Sequence, residues 1–203
     1  MKKTTAVVAA LSLATLLPLS AMAENSLNYN FIQADYISIN TDDSDIDADG
    51  FGVLGSGLIS DEVFFFGGLA MVETDPFTVS GFRGSVELRR LELGLGYRHE
   101  LQPGTDFNVG ASFLRDNVEG NGDFSGFDFD DENGYSFNAK LRHRINAHFE
   151  LGGGARYVDI ADESDTGLDL NALVHLNHHI SFALGYTLGS DEDTTTVGAR
   201  LNF

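Results

Sequence analysis

Along most of the chain, apolar and polar residues alternate with a period of two, in stretches broken by polar clusters. That period places successive side chains on opposite faces of a strand. Leu91, Leu93, Leu95 and Tyr97 share one face, and Arg90, Glu92, Gly94, Gly96 and Arg98 the other. The division recurs with Phe107, Val109, Ala111 and Phe113 against Asn108, Gly110 and Ser112. It recurs again with Tyr135, Phe137, Ala139 and Leu141 against Ser136, Asn138, Lys140 and Arg142. Phe149, Leu151, Ala155 and Tyr157 oppose Glu150, Gly152, Gly154 and Arg156, and Leu168, Leu170, Ala172, Val174 and Leu176 oppose Asp169, Asn171 and His175. Ile180, Phe182, Leu184, Tyr186 and Leu188 oppose Ser181, Ala183, Gly185 and Thr187, and the chain closes on Val197, Ala199, Leu201 and Phe203 against Thr196, Gly198, Arg200 and Asn202.

Three earlier stretches read as strands by length and composition, without a settled facing: 27–39, the Gly-rich 50–59, and 63–74, which is apolar on both parities. With spans at 86–98, 106–116, 134–144, 149–159, 168–177, 180–189 and 194–203, the expectation is ten strands, with eight as the alternative. Connections after even-numbered strands are short; those after odd-numbered strands are mostly longer and acidic. A soluble sandwich also alternates, with its apolar face inward. Here the polar face is rich in Gly and paired charges, and aromatics (Tyr97, Phe107, Tyr135, Phe149, Tyr157) sit near segment ends on the apolar face. Those are the marks of a transmembrane antiparallel barrel with interfacial girdles. An even strand count puts both termini on the periplasmic side.

Composition agrees. The 203 residues include 16 Phe and 6 Tyr, too much apolar surface for a solvated coil. With no Cys, a disulfide framework, a thiolate metal site and a cysteine nucleophile are excluded. The net charge of -19 argues against nucleic acid as a partner, since that binding neutralises phosphates with Lys and Arg. Met1-Lys2-Lys3, the apolar run Ala6 to Leu17 and Ala21-Met22-Ala23 have the form of a cleaved export signal. The expected organisation is a signal over 1–23, with cleavage between Ala23 and Glu24 read through Ala21 and Ala23, and a barrel over 24–203.

The last residues, Val197-Gly198-Ala199-Arg200-Leu201-Asn202-Phe203, resemble the terminal signal of bacterial outer-membrane β-barrels, Gly-x-x-apolar-x-aromatic with the aromatic last. The whole mature chain resembles the small outer-membrane β-barrel proteins of Gram-negative bacteria, similar in plan to OmpA and OmpX with two more strands. A narrower resemblance, to small barrels of xanthomonad type, rests on Leu27-Asn28-Tyr29-Asn30-Phe31 and on Asp47-Ala48-Asp49-Gly50-Phe51-Gly52. The resemblance implies an outer-membrane location and assembly by the barrel-assembly machinery, with Gly198, Leu201 and Phe203 as the signal. It implies no active site.

Twenty of the 31 acids fall in the five expected outer connections and their mouths, where Arg83 is the one base. Among them, Asp45-x-Asp47-x-Asp49-Gly50 has the spacing of a calcium loop, which alternates oxygens around a Gly turn. The twelfth position is Ser56 rather than Glu, so this is not an EF-hand; Asp45, Asp47 and Asp49 remain candidate ligands for calcium or another divalent cation, and no other cofactor is implied. Asp116 is counted here with the third connection.

On the inward face, Arg90, Glu92, Lys140, Arg142, Glu150, Arg156, Asp169 and Arg200 form a candidate lumen network, with Arg90–Glu92 pairing along one strand and Lys140 or Arg142 pairing with Glu150 across strands. Arg98 and His175 share that face. Gly94, Gly96, Gly110, Gly152, Gly154 and Gly185 are expected to leave room there for water. His179-x-Ser181 has the spacing used by an outer-membrane lipid A deacylase family, but it lies at a periplasmic turn, the wrong end for lipid of the outer leaflet. Ten-stranded omptin proteases work at the outer rim, whereas His99, His143, His148, His175, His178 and His179 all lie on or near the other side. The reading is a monomeric, non-enzymatic surface barrel in contact with outer-membrane lipid and lipopolysaccharide. A small cation-preferring pore is the alternative, and a lipid-acting enzyme comes third.

Overall fold

The computed structural model describes residues 27–41, 46–125, 131–161, 163–190 and 192–203. The expected export signal with Ala21, Ala23 and Glu24, and the candidate ligand Asp45, lie outside the described residues. The strands are β1 (Phe31–Thr41), β2 (Ala48–Leu58), β3 (Val63–Thr74), β4 (Phe77–Val79), β5 (Phe82–Gln102), β6 (Thr105–Gly122), β7 (Glu132–Arg144), β8 (Phe149–Ile160), β9 (Glu163–His175), β10 (Ile180–Leu188) and β11 (Glu192–Asn202). Every neighbouring pair is antiparallel. β1 pairs with β11 and β3 with β5, so ten strands close into a ring, and β4 is a short extra strand hairpinned onto the start of β5. Closure leaves no sheet edge open to a further strand.

The ten expected strands are these ten, but several ends differ. β5 and β6 run to 21 and 18 residues. The turn expected over 99–105 shrinks to Pro103-Gly104, where Gly104 takes φ 79, a conformation that costs glycine nothing. At the opposite end the strands extend into what the sequence left as loops. Ile160 and Glu163 pair across the β8–β9 connection, and β10 and β11 are separated only by 189–191. Two of the five outer connections are therefore short; the other three, 42–47, 75–81 with β4, and 123–131, stay longer than any connection at the opposite end. A row of carboxylates on rising strands can satisfy its backbone in the ladder, so acidity alone was a poor loop signal.

Parity settles which face is which. Leu93, Leu95, Val109, Phe137, Leu151, Phe182 and Leu184 are exposed on the outside, while Asn108, Ser112, Ser136, Asp169 and Ser181 are buried inside. The unresolved first strands follow the rule. Phe31, Gln33 and Asp35 point inward and Ile32, Ala34 and Tyr36 outward; on β3, Phe64, Phe66 and Val72 point inward and Phe65, Leu69 and Met71 outward. Tyr97, Phe107, Tyr135 and Phe149 stand exposed on the outer wall, as the girdle reading requires.

Candidate functional site in the barrel lumen

The inner wall carries distinct layers. At the end holding both termini, Leu27 and Tyr29 precede β1 and turn into the lumen. Tyr29, 2% exposed, packs its ring on Phe64 at 4.8 Å between centroids. The guanidinium of Arg142 stands 4.4 Å from the Tyr29 ring centre and that of Arg98 5.0 Å. Arg142 also donates to the Asn28 carbonyl at 3.1 Å. The terminal segment is thus a stopper seated on the wall by cation–π contacts and hydrogen bonds. Four residues show no periodicity, so sequence reasoning missed it. The one available signal was apolar Leu27 and Tyr29 ahead of a strand that already had its own apolar face.

Beside the stopper runs a polar chain. Arg142 bonds Glu150 at 2.7 Å, Glu150 lies 3.7 Å from His175 Nε2, and His175 Nδ1 is 2.7 Å from the Ser181 hydroxyl. Asn202 donates to Ser181 at 3.0 Å. His179, the expected partner of Ser181, instead places Nδ1 3.2 Å from the Asn202 carbonyl. Ser181 is 0% exposed, and no described opening brings a lipid carbonyl to it. The chain is a buried network that joins β7 to β11, and its charged members satisfy one another.

The middle layer holds the other pairs, partly redistributed from the sequence expectation. Arg90 donates to Asp116 through Nε and Nη2, at 2.8 and 2.7 Å, instead of pairing with Glu92. Asp116 is therefore an inward residue of β6 and not part of an outer loop. Glu92 accepts from Ser112 at 2.6 Å and Ser136 at 3.4 Å. Of the two partners offered to Glu150, Arg142 is the one that binds it; Lys140 reaches Asp169 at 2.7 Å. Arg98 adds a pair with Asp106 at 3.5 Å. Arg156 lies within electrostatic reach of Asp165 and Asp169. Arg200 donates to Gln33 at 2.7 Å and lies 3.8 Å over the Phe31 ring.

The expected water space over the inner glycines is filled by side chains. Phe66 covers Gly94 and Gly110, Phe64 covers Gly96, Asn171 covers Gly152, Lys140 covers Gly154 and Thr196 covers Gly185. These glycines make room for neighbouring rings and amides. Around the far mouth the crown is less uniformly acidic than the loops suggested: on the outward face of β5 and β6, Arg89 pairs with Glu87 and Glu119, and Arg115 with Asp131. Asp47 and Asp49 stand at exposed positions, and Asp49 takes a hydrogen bond from Tyr36 on the outer wall.

At the closing strand, Leu201 and Phe203 are exposed outward, and the Phe203 amide donates to the Asn30 carbonyl at 3.1 Å. Gly198 lies against Asp35 and the Ala34 carbonyl, where a side chain would collide. Replacing Phe203 with Ser removes apolar surface without touching the lumen. The expected result is a clear fall in outer-membrane protein with periplasmic accumulation, read by fractionation and heat-modifiable mobility.

An apolar-out, polar-in closed ring with filled interior defines a membrane β-barrel. The family model described as "Outer membrane protein beta-barrel domain" matches residues 6–175, so the chain belongs to that family of the bacterial outer membrane. No curated protein matches it in sequence. Among solved structures it is similar to the NanC porin (TM-score 0.53, 8% identity, covering 85% of this chain and 100% of that one). It is also similar to the KdgM porin (0.51, 10%, 84% and 99%). The translocator domain of the autotransporter NalP from Neisseria meningitidis gives 0.52 at 12% identity, covering 98% and 97%. At these identities the likeness is one of fold.

Proposed function

We propose that the protein is a non-enzymatic surface barrel of the outer membrane with a closed lumen. It makes its contacts through the lipid-facing wall and the outer rim, with outer-membrane lipid and lipopolysaccharide. The observation that carries this reading is Tyr29, seated between Phe64, Arg98 and Arg142 where a channel would need its opening. The Arg90–Asp116 and Lys140–Asp169 pairs above it reinforce the closure. Small barrels fill their interior with side chains, whereas barrels of about 16–18 strands leave an aqueous channel. Export by a cleaved signal and assembly through the C-terminal strand by the barrel-assembly machinery belong to the same reading.

Planar-bilayer recording of the purified barrel tests it. The expected trace is closed, or carries a small current that prefers cations because of the acidic mouth and loses that preference as salt screens it. A steady conductance of general-porin size, or selectivity for anions, contradicts the reading.

A further inference from the structure

The far mouth of the lumen contains something a merely filled barrel does not need. Ile39, Ala48, Val72, Phe77, Val86 and Leu88 line a single cavity of about 330 Å³. By parity the residues of β1, β2, β3 and β5 face inward, opposite a wall of β6 to β11 that is largely polar. Val72 is buried and the others are half-buried, so the apolar surface they still present to the cavity is what an occupant would cover.

The cavity is preformed. β4 turns back onto β5 through Ser80 and Gly81, both at positive φ, and so brings Phe77 over the mouth. The Phe77 ring rests on Phe124, 5.2 Å between centroids, which fixes it from behind. The Thr74 hydroxyl accepts from the Val86 amide and Thr41 donates to the Ile46 carbonyl, so both wall hydroxyls are engaged. Glu192 is the charged group of the lining, on β11 opposite Thr41. Arg90, one inward position below Leu88, is held by Asp116 and lies within electrostatic reach of Glu192, which has no partner at salt-bridge distance among the described residues.

The geometry points to a dead-end binding site for a small apolar molecule with a cationic head, its body among Ile39, Val72, Phe77 and Leu88 and its head at Glu192. Apolar cavities of about 150 Å³ take one benzene, so this one has room for a two-ring aromatic body or an acyl chain of similar bulk. The acidic rim favours entry of cations and opposes carboxylates. The inference rests on the closed-lumen reading, since it requires a site that holds its ligand and does not pass it on.

The test uses the full barrel in lipid nanodiscs, with 1-naphthylmethylamine and 1-naphthoate as probes that share a ring and differ in charge. The chain has no Trp, so naphthalene emission is read without indole interference. Saturable binding of the amine at one site per barrel is expected, with naphthoate weaker by about tenfold, the size of one good contact in a pocket. Leu88→Gln makes the pocket polar and Ala48→Phe fills it. Each is expected to weaken amine binding by at least about tenfold while keeping heat-modifiable mobility, and either variant alone decides if the other fails to fold. Glu192→Gln should bring the two probes close together in affinity.

Uptake no greater than in empty nanodiscs, or identical isotherms for the parent and the folded pocket variants, overturns the site. An unchanged preference for the amine in Glu192→Gln overturns the place given to the head. Planar-bilayer conductance of the same purified protein separates the two claims: a closed barrel without saturable binding removes only this site, and a porin-like current removes the closed-barrel reading beneath it.

Discussion

Tyr29→Gly is expected to raise the conductance of the reconstituted barrel severalfold over the parent, and Tyr29→Phe to leave it unchanged. The ring does the closing. It sits on Phe64 and faces the guanidinium groups of Arg98 and Arg142. Each cation–π contact is worth about 0.5–2 kcal/mol, more as it is desolvated. Phenylalanine keeps the ring contacts and loses those of the hydroxyl, a long bond from Asn108 at 3.4 Å and its contacts with Arg142 and Asp106. Glycine removes the ring and frees the strap of main chain that Arg142 and Arg98 hold through the Asn28 and Leu27 carbonyls. An unchanged trace for Tyr29→Gly means that the terminal segment does not close the lumen.

Arg142→Leu lowers barrel stability by about 3–5 kcal/mol, the range for removing one partner of a buried pair. Glu150 has 2% of its side chain exposed and would keep its charge with only His175 and the more distant Arg200 to balance it. The same substitution removes a contact to Tyr29 and the bond to Asn28, so the effect belongs at the upper part of that range. The measurement is urea unfolding in lipid vesicles. Arg142→Leu with Glu150→Leu should recover a good part of the loss, because replacing both charges leaves no orphan. A double variant no better than the single one would assign the loss to packing alone.

The outward face of the seven later strands was readable because a period of two survives wherever one face meets lipid and the other a polar interior. It failed in 63–74, where Phe64 and Phe66 are as apolar as Phe65 and Leu69. Those inward rings fit only because glycines 94, 96 and 110 on neighbouring strands leave space, a complementarity that no single strand displays. Pairing was misread for a related reason. Arg90 and Glu92 share a face, but residues two apart on a strand are separated by about 6.6 Å of rise. Directly opposed residues lie closer, at roughly 4.5–5.5 Å between Cβ atoms, and Arg90 is directly opposite Asp116. Lys140, Gly154 and Asp169 lie in one row across three strands, and the glycine lets the ammonium reach over. Register across strands decides these partners, and it follows from closure of the ring, not from local sequence.

Side-resolved thiol labelling tests the closed lumen most directly, and the absence of native Cys makes it clean. Cysteine is introduced at Thr74 in the mouth, at Asn138 on the inner wall between the Arg90 layer and Tyr29, and at exposed Ser80 as reference. A membrane-impermeant thiol reagent is then applied from each side in turn. The expected result from outside is labelling of the Thr74 variant at a rate near that of the reference, while the Asn138 variant lags by orders of magnitude from either side. Fast labelling of Asn138→Cys from the side of the termini, in a barrel that retains Tyr29, would contradict the account.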